Sequence, residues 1–312
     1  MAAKKLLISS LRITISHQSL PLERRILSLR LFHRSPFHLS HSTYSKSSRS
    51  SSVNTEEVAH FSALASTWWD YHGPSRLLHL MNPLRHDFIA RCLKDSNTNN
   101  NYPKHSTPSY SSVDGLKKLD ILDVGCGGGI FAESAARLSN VKSVTAIDPT
   151  PDVIAIAKAH ARRDPLLKGK LSYQNVSVEN MQMPTSKDDQ FDVLTLFEVI
   201  EHITYPAEFL EQCTKFVRPG GWIVISTVAR TWLSWLTTIA VGEYGLRIVP
   251  IGTHNWEKYV NSDELNRWFK EKGGWNSQPM VLGVIYIPGI GWKPVNGSEK
   301  VGNYFFGIRR DL

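Results

Sequence analysis

Cysteine is scarce in this chain: Cys92, Cys126 and Cys213 are the only three among 312 residues. An odd count with no CxxC pair supports neither a disulfide framework nor a zinc ribbon, and it suits a reducing compartment. Long apolar runs are missing too, since no stretch reaches the ~20 residues that a membrane span requires. Acid is missing from one region only. Residues 1–53 carry nine Lys/Arg against Glu23 alone, a balance of +8, so the rest of the chain carries 27 residues of each sign. The net charge of +8 therefore resides in the first 53 residues. The body is neutral and implies no nucleic acid or other polyanion as partner.

The basic leader is also rich in Ser and Leu. Arg24, Arg25 and Arg30 alternate with Ile26, Leu27, Leu29 and Leu31, and a serine-rich tract at 45–52 follows. This amphipathic, acid-poor composition predicts a cleavable mitochondrial presequence over 1–53, with a basic tail as the alternative. A single folded domain is expected over 54–312. Asn54 with Glu57 three residues on predicts a capped helix. Phe61, Leu64, Ala65 and Trp68 follow at helical spacing, and this N-terminal helical segment is expected to fold over the site as a lid. Residues 95–114 are polar and rich in Asn, Ser and Pro, and read as a flexible insertion.

The rest of the body is organised around LDILDVGCGGGI, residues 119–130. A short apolar run that stops at Gly125, Gly127, Gly128 and Gly129 predicts a buried strand, a tight turn and then a helix. Glycine lets a ligand approach bare backbone, and the helix start offers unpaired N–H groups. A second strand, Val144–Ile147, ends in Asp148, at the distance where a carboxylate accepts ribose hydroxyls. A dinucleotide reading can be laid over Gly127, Gly129 and Ala132. The order Asp123-x-Gly125-x-Gly127-x-Gly129 with Asp148 resembles more closely the S-adenosylmethionine-binding motif of class I methyltransferases.

Further strands are expected at 171–176, 191–196 and 222–227, with helices at 152–163 and 206–217 between them. Such alternation implies parallel βαβ units, with the ligand at the carboxyl ends of the strands, where Gly125, Asp148, Glu198 and Thr227 fall. Ser177 to Asn180, after the third strand, is the expected place of an adenine contact. Residues 230–256 break the rhythm and are strongly apolar, which suits a buried helix, a cover for a greasy substrate or an interfacial element. Two late strands, at 281–287 and 303–308, are expected to close the sheet as an antiparallel pair.

The chemistry-bearing stretch is Glu198-Val199-Ile200-Glu201-His202. If the chain turns helical after the fourth strand, Glu198 faces Glu201 and His202, so two carboxylates and an imidazole can converge on a divalent ion. They can equally stabilise a helix start. His254 is a second candidate base.

Phe61 to Trp69, Asn82-Pro83-Leu84-Arg85, the glycine stretch, Glu198 to His202, Arg218-Pro219-Gly220-Gly221, and Glu243 to Pro250 with Gly252-Thr253-His254 together resemble the ubiquinone-biosynthesis O-methyltransferase family over about residues 55–310. The resemblance implies a Rossmann-like α/β fold with a mostly parallel seven-stranded sheet and an antiparallel last strand. It implies methylation of polyprenylated dihydroxybenzenes within a ubiquinone-synthesis complex, peripherally on the matrix face of the mitochondrial inner membrane. By motif position, Arg85, Gly125, Gly127, Asp148 and Phe197 would hold S-adenosylmethionine. Glu198, Glu201 and His202 would bind a divalent metal, Mg²⁺ by preference, and Glu198, His202 and His254 would be catalytic. The chain departs from the pattern in the 95–114 insertion and in Phe197. The remaining alternatives are a methyltransferase for another phenol or a ring carbon, and a non-catalytic scaffold.

Overall fold

The computed structural model describes residues 51–95, 118–230 and 259–312. All but residues 51–53 of the expected presequence lie outside that range, as do the insertion after Asp95, the 230–256 segment beyond Arg230, and His254.

The described residues build one eight-stranded sheet: β1 (Leu119–Val124), β2 (Val141–Asp148), β3 (Leu171–Asn175), β4 (Phe191–Phe197), β5 (Val217–Val228), β6 (Met280–Ile287), β7 (Gly291–Pro294) and β8 (Asn303–Arg309). The order is β3-β2-β1-β4-β5-β8-β6-β7. β1 to β5 pair in parallel, and β8 enters antiparallel between β5 and β6. This is the expected Rossmann-like sheet with one addition. The short β7 pairs with β6 as an eighth strand at the edge. Four residues bounded by Gly291 and Pro294 carry too little alternation to be read as a strand from sequence.

The central strands are buried on both faces, which is why β4 reads as a nearly unbroken apolar run. Helices α1 (Thr55–Leu64), α2 (Arg76–Asp95), α3 (Ile130–Ala136), α4 (Pro151–Ala161), α5 (Pro206–Thr214) and α6 (Ser262–Lys272) accompany the sheet. α1 begins where the sequence places it, with the Asn54 side chain accepting the Glu56 N–H at 2.9 Å. α5, expected to run to Val217, stops at Thr214. Val217 already pairs with Phe191, and Arg218 to Gly221 then bulge past Asp192 before pairing resumes between Val193 and Trp222. The buried Asp192 carboxylate is the cause: it accepts the Asp120 N–H at 2.8 Å and pairs with the Arg218 guanidinium, so the bulge supplies a cation that a straight strand would not.

Candidate active site

The chain leaves β1 through Gly125 at φ 72°, Gly127 at φ 52° and Gly129 at φ 91°, and Gly129 caps α3. This left-handed run is open to glycine and strained for other residues. Sequence reasoning reserves the bare backbone for a ligand, but much of it is covered by the protein itself. A Cβ at Gly125 would lie 2.5 Å from Val199 Cγ2, one at Gly127 or Gly128 would run into the Trp68 indole, and one at Gly129 into the Tyr173 hydroxyl. Trp68 and Trp69 therefore sit on the turn. Trp69 Nε1 donates to the Gly128 carbonyl at 2.9 Å, and its ring stacks on His160 at 3.5 Å.

Asp148, at the end of β2, receives the Gly127 N–H on Oδ2 at 3.0 Å and the Thr150 N–H on Oδ1 at 2.8 Å. Burial pushes its carboxyl up, while these two N–H groups pull the other way. Each oxygen keeps further lone-pair capacity, so the carboxylate is held in place and can still accept ribose hydroxyls. Two buried polar atoms, Ser177 Oγ and Arg85 Nε, have no hydrogen-bond partner among the described residues. Ser177 follows β3 and faces the same cavity as Asp148. Arg85, on α2, sets its guanidinium carbon 4.9 Å above the centre of the Phe197 ring, beside a small hollow shared with Asp123, Gly125 and Phe197. Burial lowers the Arg85 pKa, opposed by the charges of Glu198, Asp123 and Glu201. A buried cation with an idle donor suits a carboxylate ligand. Gly125, Gly127, Asp148 and Phe197 line one cavity, Arg85 lines the small hollow that shares Gly125 and Phe197 with it, and this donor set fits S-adenosylmethionine.

Across β1 from Asp148, β4 ends in Phe197 and the chain turns sharply. Glu198 has φ 57°, the one non-glycine residue with positive φ among those described, and Ile200–His202 form a single 3-10 turn, so the helical condition for convergence is not met. The Ser226 hydroxyl donates to Glu198 Oε1 at 2.6 Å, and the Thr227 hydroxyl donates to Glu201 Oε2 at 2.9 Å. His202 Nδ1 lies 2.9 Å from Glu57 Oε2, and Phe61 meets its ring edge-on at 5.1 Å. Burial together with the Glu198 charge pushes the Glu201 carboxyl up to about 7.

The expected metal centre is not assembled in this geometry. Glu198, Glu201 and His202 each turn to a different protein partner, and no group of three His, Cys, Asp or Glu among the described residues is arranged to hold a metal ion. The cause is the backbone. The i+3 and i+4 convergence needs an α-helix, and a left-handed residue followed by a 3-10 turn spreads the side chains differently. Glu57 was read from sequence as the arm of a cap, yet its carboxyl engages His202, 145 residues away. No local pattern signals that pairing.

Both walls open onto one cavity of about 640 Å³. Gly125, Gly127, Asp148 and Ser177 line one part, and Glu198, Glu201 and His202 another, with Phe61, Leu64, Trp68 and Phe209 forming apolar walls. A space of that size takes a ligand of several rings, mostly by apolar contact with a few fixed polar groups.

A methyltransferase domain family matches residues 72–275. The chain is similar to the mitochondrial ubiquinone biosynthesis O-methyltransferase of Candida albicans, with 41% identity covering 93% of this chain and 94% of that one. It is 44% identical to the protein of the same name from Schizosaccharomyces pombe, over 85% of this chain and 89% of that one. Among solved structures, the plantazolicin methyltransferase BpumL, in complex with a monoazolic desmethylPZN analog and SAH, superimposes with a TM-score of 0.52. It is 17% identical, over 82% of this chain and 97% of that one, a likeness of fold.

Proposed function

The chain belongs to the ubiquinone biosynthesis O-methyltransferase family of S-adenosylmethionine-dependent methyltransferases, and from that premise we propose that it methylates ring hydroxyls of polyprenylated dihydroxybenzenes. The acceptors of this reading are 3,4-dihydroxy-5-polyprenylbenzoate and demethylubiquinol. One observation carries it: a single cavity joins a ribose-type carboxylate, Asp148, to a second polar wall, Glu198 with His202, between apolar sides.

In this reading Asp148 accepts the ribose hydroxyls, Arg85 holds the methionyl carboxylate and Ser177 meets the adenine edge. When bound, S-adenosylmethionine supplies an electrophilic methyl group for in-line displacement. The apolar walls hold the acceptor ring at attack distance and exclude water, which accounts for much of the rate gain in such displacements. The acceptor hydroxyl becomes nucleophilic as its proton passes to Glu198 or His202, groups that Ser226 and Glu57 keep in place. Glu198, Glu201 and His202 do not converge on one point in this structure, so no step is drawn through a metal ion.

The relatives' names and the acid-poor leader support a mitochondrial location. A peripheral place on the matrix face of the inner membrane, beside other enzymes of quinone synthesis, completes the proposal. No helix among the described residues is long and apolar enough to cross a membrane.

The deciding assay supplies S-adenosylmethionine and a short-prenyl dihydroxybenzoate, with and without EDTA, to the native chain and to Asp148→Asn. Methylated product from the native chain, lost in Asp148→Asn and indifferent to EDTA, is the expected result. Loss with EDTA and recovery with Mg²⁺ would transfer activation of the hydroxyl to a metal. Cofactor binding without product would sink the acceptor assignment.

A further inference from the structure

Strand order lays out the cavity from one side of the sheet to the other. Ser177 follows β3, Asp148 ends β2, Gly125 follows β1 and Glu198 follows β4. The lining then continues past β5 and β8 to Val284 and Tyr286 on β6 and Trp292 on β7. The cofactor residues of the proposed site thus stand over the first three strands, and the polar wall over the fourth. β6 lies three places beyond β4, roughly 14 Å at ordinary strand spacing. Val284 pairs with Asn303 and Asn303 with Val228, so the residues after Val284 reach past the end of β5. No group of the proposed reaction occupies this far arm.

The arm is built on the core. Val284 and Tyr286 share one face of β6, and Trp292 is the cross-strand partner of Tyr286. That face turns to α2: Trp292 Nε1 donates to the Leu77 carbonyl at 3.1 Å, and Arg76 Nη1 donates to the Tyr286 hydroxyl at 3.1 Å. Leu77, Leu78 and Met81 line the α2 side. Met81 and Val284 are buried members of the main core cluster, and Trp292 packs against it. None of these six side chains carries a charge, and both aromatic polar tips already have protein partners. Such a slot holds a ligand by apolar contact.

We propose that this arm takes the prenyl chain of the acceptor, whose ring lies at Glu198 and His202. The inference rests on the acceptor proposed above and names where its chain goes. Two features select a chain fixed to the ring over a separate apolar ligand. The arm and the polar wall belong to one cavity. A ring at that wall has the cofactor residues on its β1 side, and the apolar continuation runs the other way, toward β6. Burial of a chain that does not react is equal in the ground and transition states, so it acts on KM and leaves kcat alone.

The test uses the full chain and two acceptors, 3,4-dihydroxybenzoate with a farnesyl chain at ring position 5 and the same ring with a methyl group there. KM for the farnesyl acceptor should be lower by roughly tenfold or more, at similar kcat. Leu77→Asp sets a carboxylate in the arm at the first turn of α2, where a helix accepts acid, and should lose most of that preference, while Leu77→Met keeps it. Equal KM values in the native chain, or a full preference in Leu77→Asp, would overturn the proposal. A second measurement needs no variant. A farnesyl acceptor with a diazirine on its second isoprene unit, photolysed with the native chain, should label the tryptic peptide 77–85 or residues 284–292. Excess unmodified farnesyl acceptor should suppress that label. Suppressible label at 198–209 or 231–258 instead, or label that the excess leaves in place, overturns the arm. Suppressible label in the arm without methylated product leaves the arm standing and defeats the acceptor assignment. Methylated product with label elsewhere does the reverse.

Discussion

Asp123 shows at the residue scale how the site stores electrostatic strain. Its carboxyl lies inside β1, accepts the Thr195 hydroxyl at 2.7 Å, and is pushed by burial up to about 6, with Arg85 acting against the shift. A carboxyl raised in the fold binds protons more tightly folded than unfolded, so its contribution to stability is whole below about 4 and is lost as pH rises through about 6. His86 acts in the opposite sense: burial lowers it to about 4, so its contribution is present above about 6.5 and lost as pH falls toward 4. The two nearly cancel in the native chain. Asp123→Asn removes one of them. The stability of the variant relative to the native chain should therefore be higher at pH 7 than at pH 4, by up to about 3 kcal/mol, as read from urea unfolding at the two pH values. An equal difference at both would show that Asp123 ionises normally.

At the scale of elements, the connection between α1 and α2 acts as a clamp on the glycine turn. Trp68 fills the space beside Gly127 and Gly128, and Trp69 reaches from the Gly128 carbonyl to the His160 ring. His160 in turn lies 2.8 Å from the wholly buried Glu133, which also pairs with Arg137. The turn's left-handed glycines are thus fixed from above by indoles and from behind by an ionic cluster. Trp69→Leu removes both the stack and the hydrogen bond. Its affinity for S-adenosylhomocysteine, measured by calorimetry, should fall about tenfold, the equivalent of about 1.4 kcal/mol. An unchanged affinity would make the clamp a matter of packing alone. The lid expected from the aromatic N-terminal segment is in this sense present, with Glu57 and Phe61 extending it to His202.

For the whole molecule, the proposed cofactor site couples elements far apart in sequence: α2 brings Arg85, the turn after β1 the glycines, β2 Asp148 and the end of β3 Ser177. A ligand that bridges them binds only the folded state. At a concentration 100 times its dissociation constant it should add about 2.7 kcal/mol to unfolding, seen as a rise of several degrees in Tm. Asp148→Asn should abolish most of that rise while leaving the ligand-free Tm nearly unaltered, and a full rise in the variant would remove Asp148 from the cofactor site.

The sequence by itself determined the strand–glycine–helix unit, the parallel alternation and the place of Asp148 at the end of the second strand. Those depend on local information, namely β-rich apolar runs, turn residues and motif spacing within a few tens of residues. Tertiary structure alone decided the rest. The Glu57–His202 pairing joins residues 145 apart, and the Trp68 cover over the glycines joins separate segments. β7 is a strand only because β6 offers it an edge. Glu198 takes its left-handed conformation at the turn out of β4, and with it the three polar side chains beyond that strand go to Ser226, Thr227 and Glu57. A spacing of three and four residues specifies a common face only once the backbone is known to be helical, and here the packed sheet made it something else.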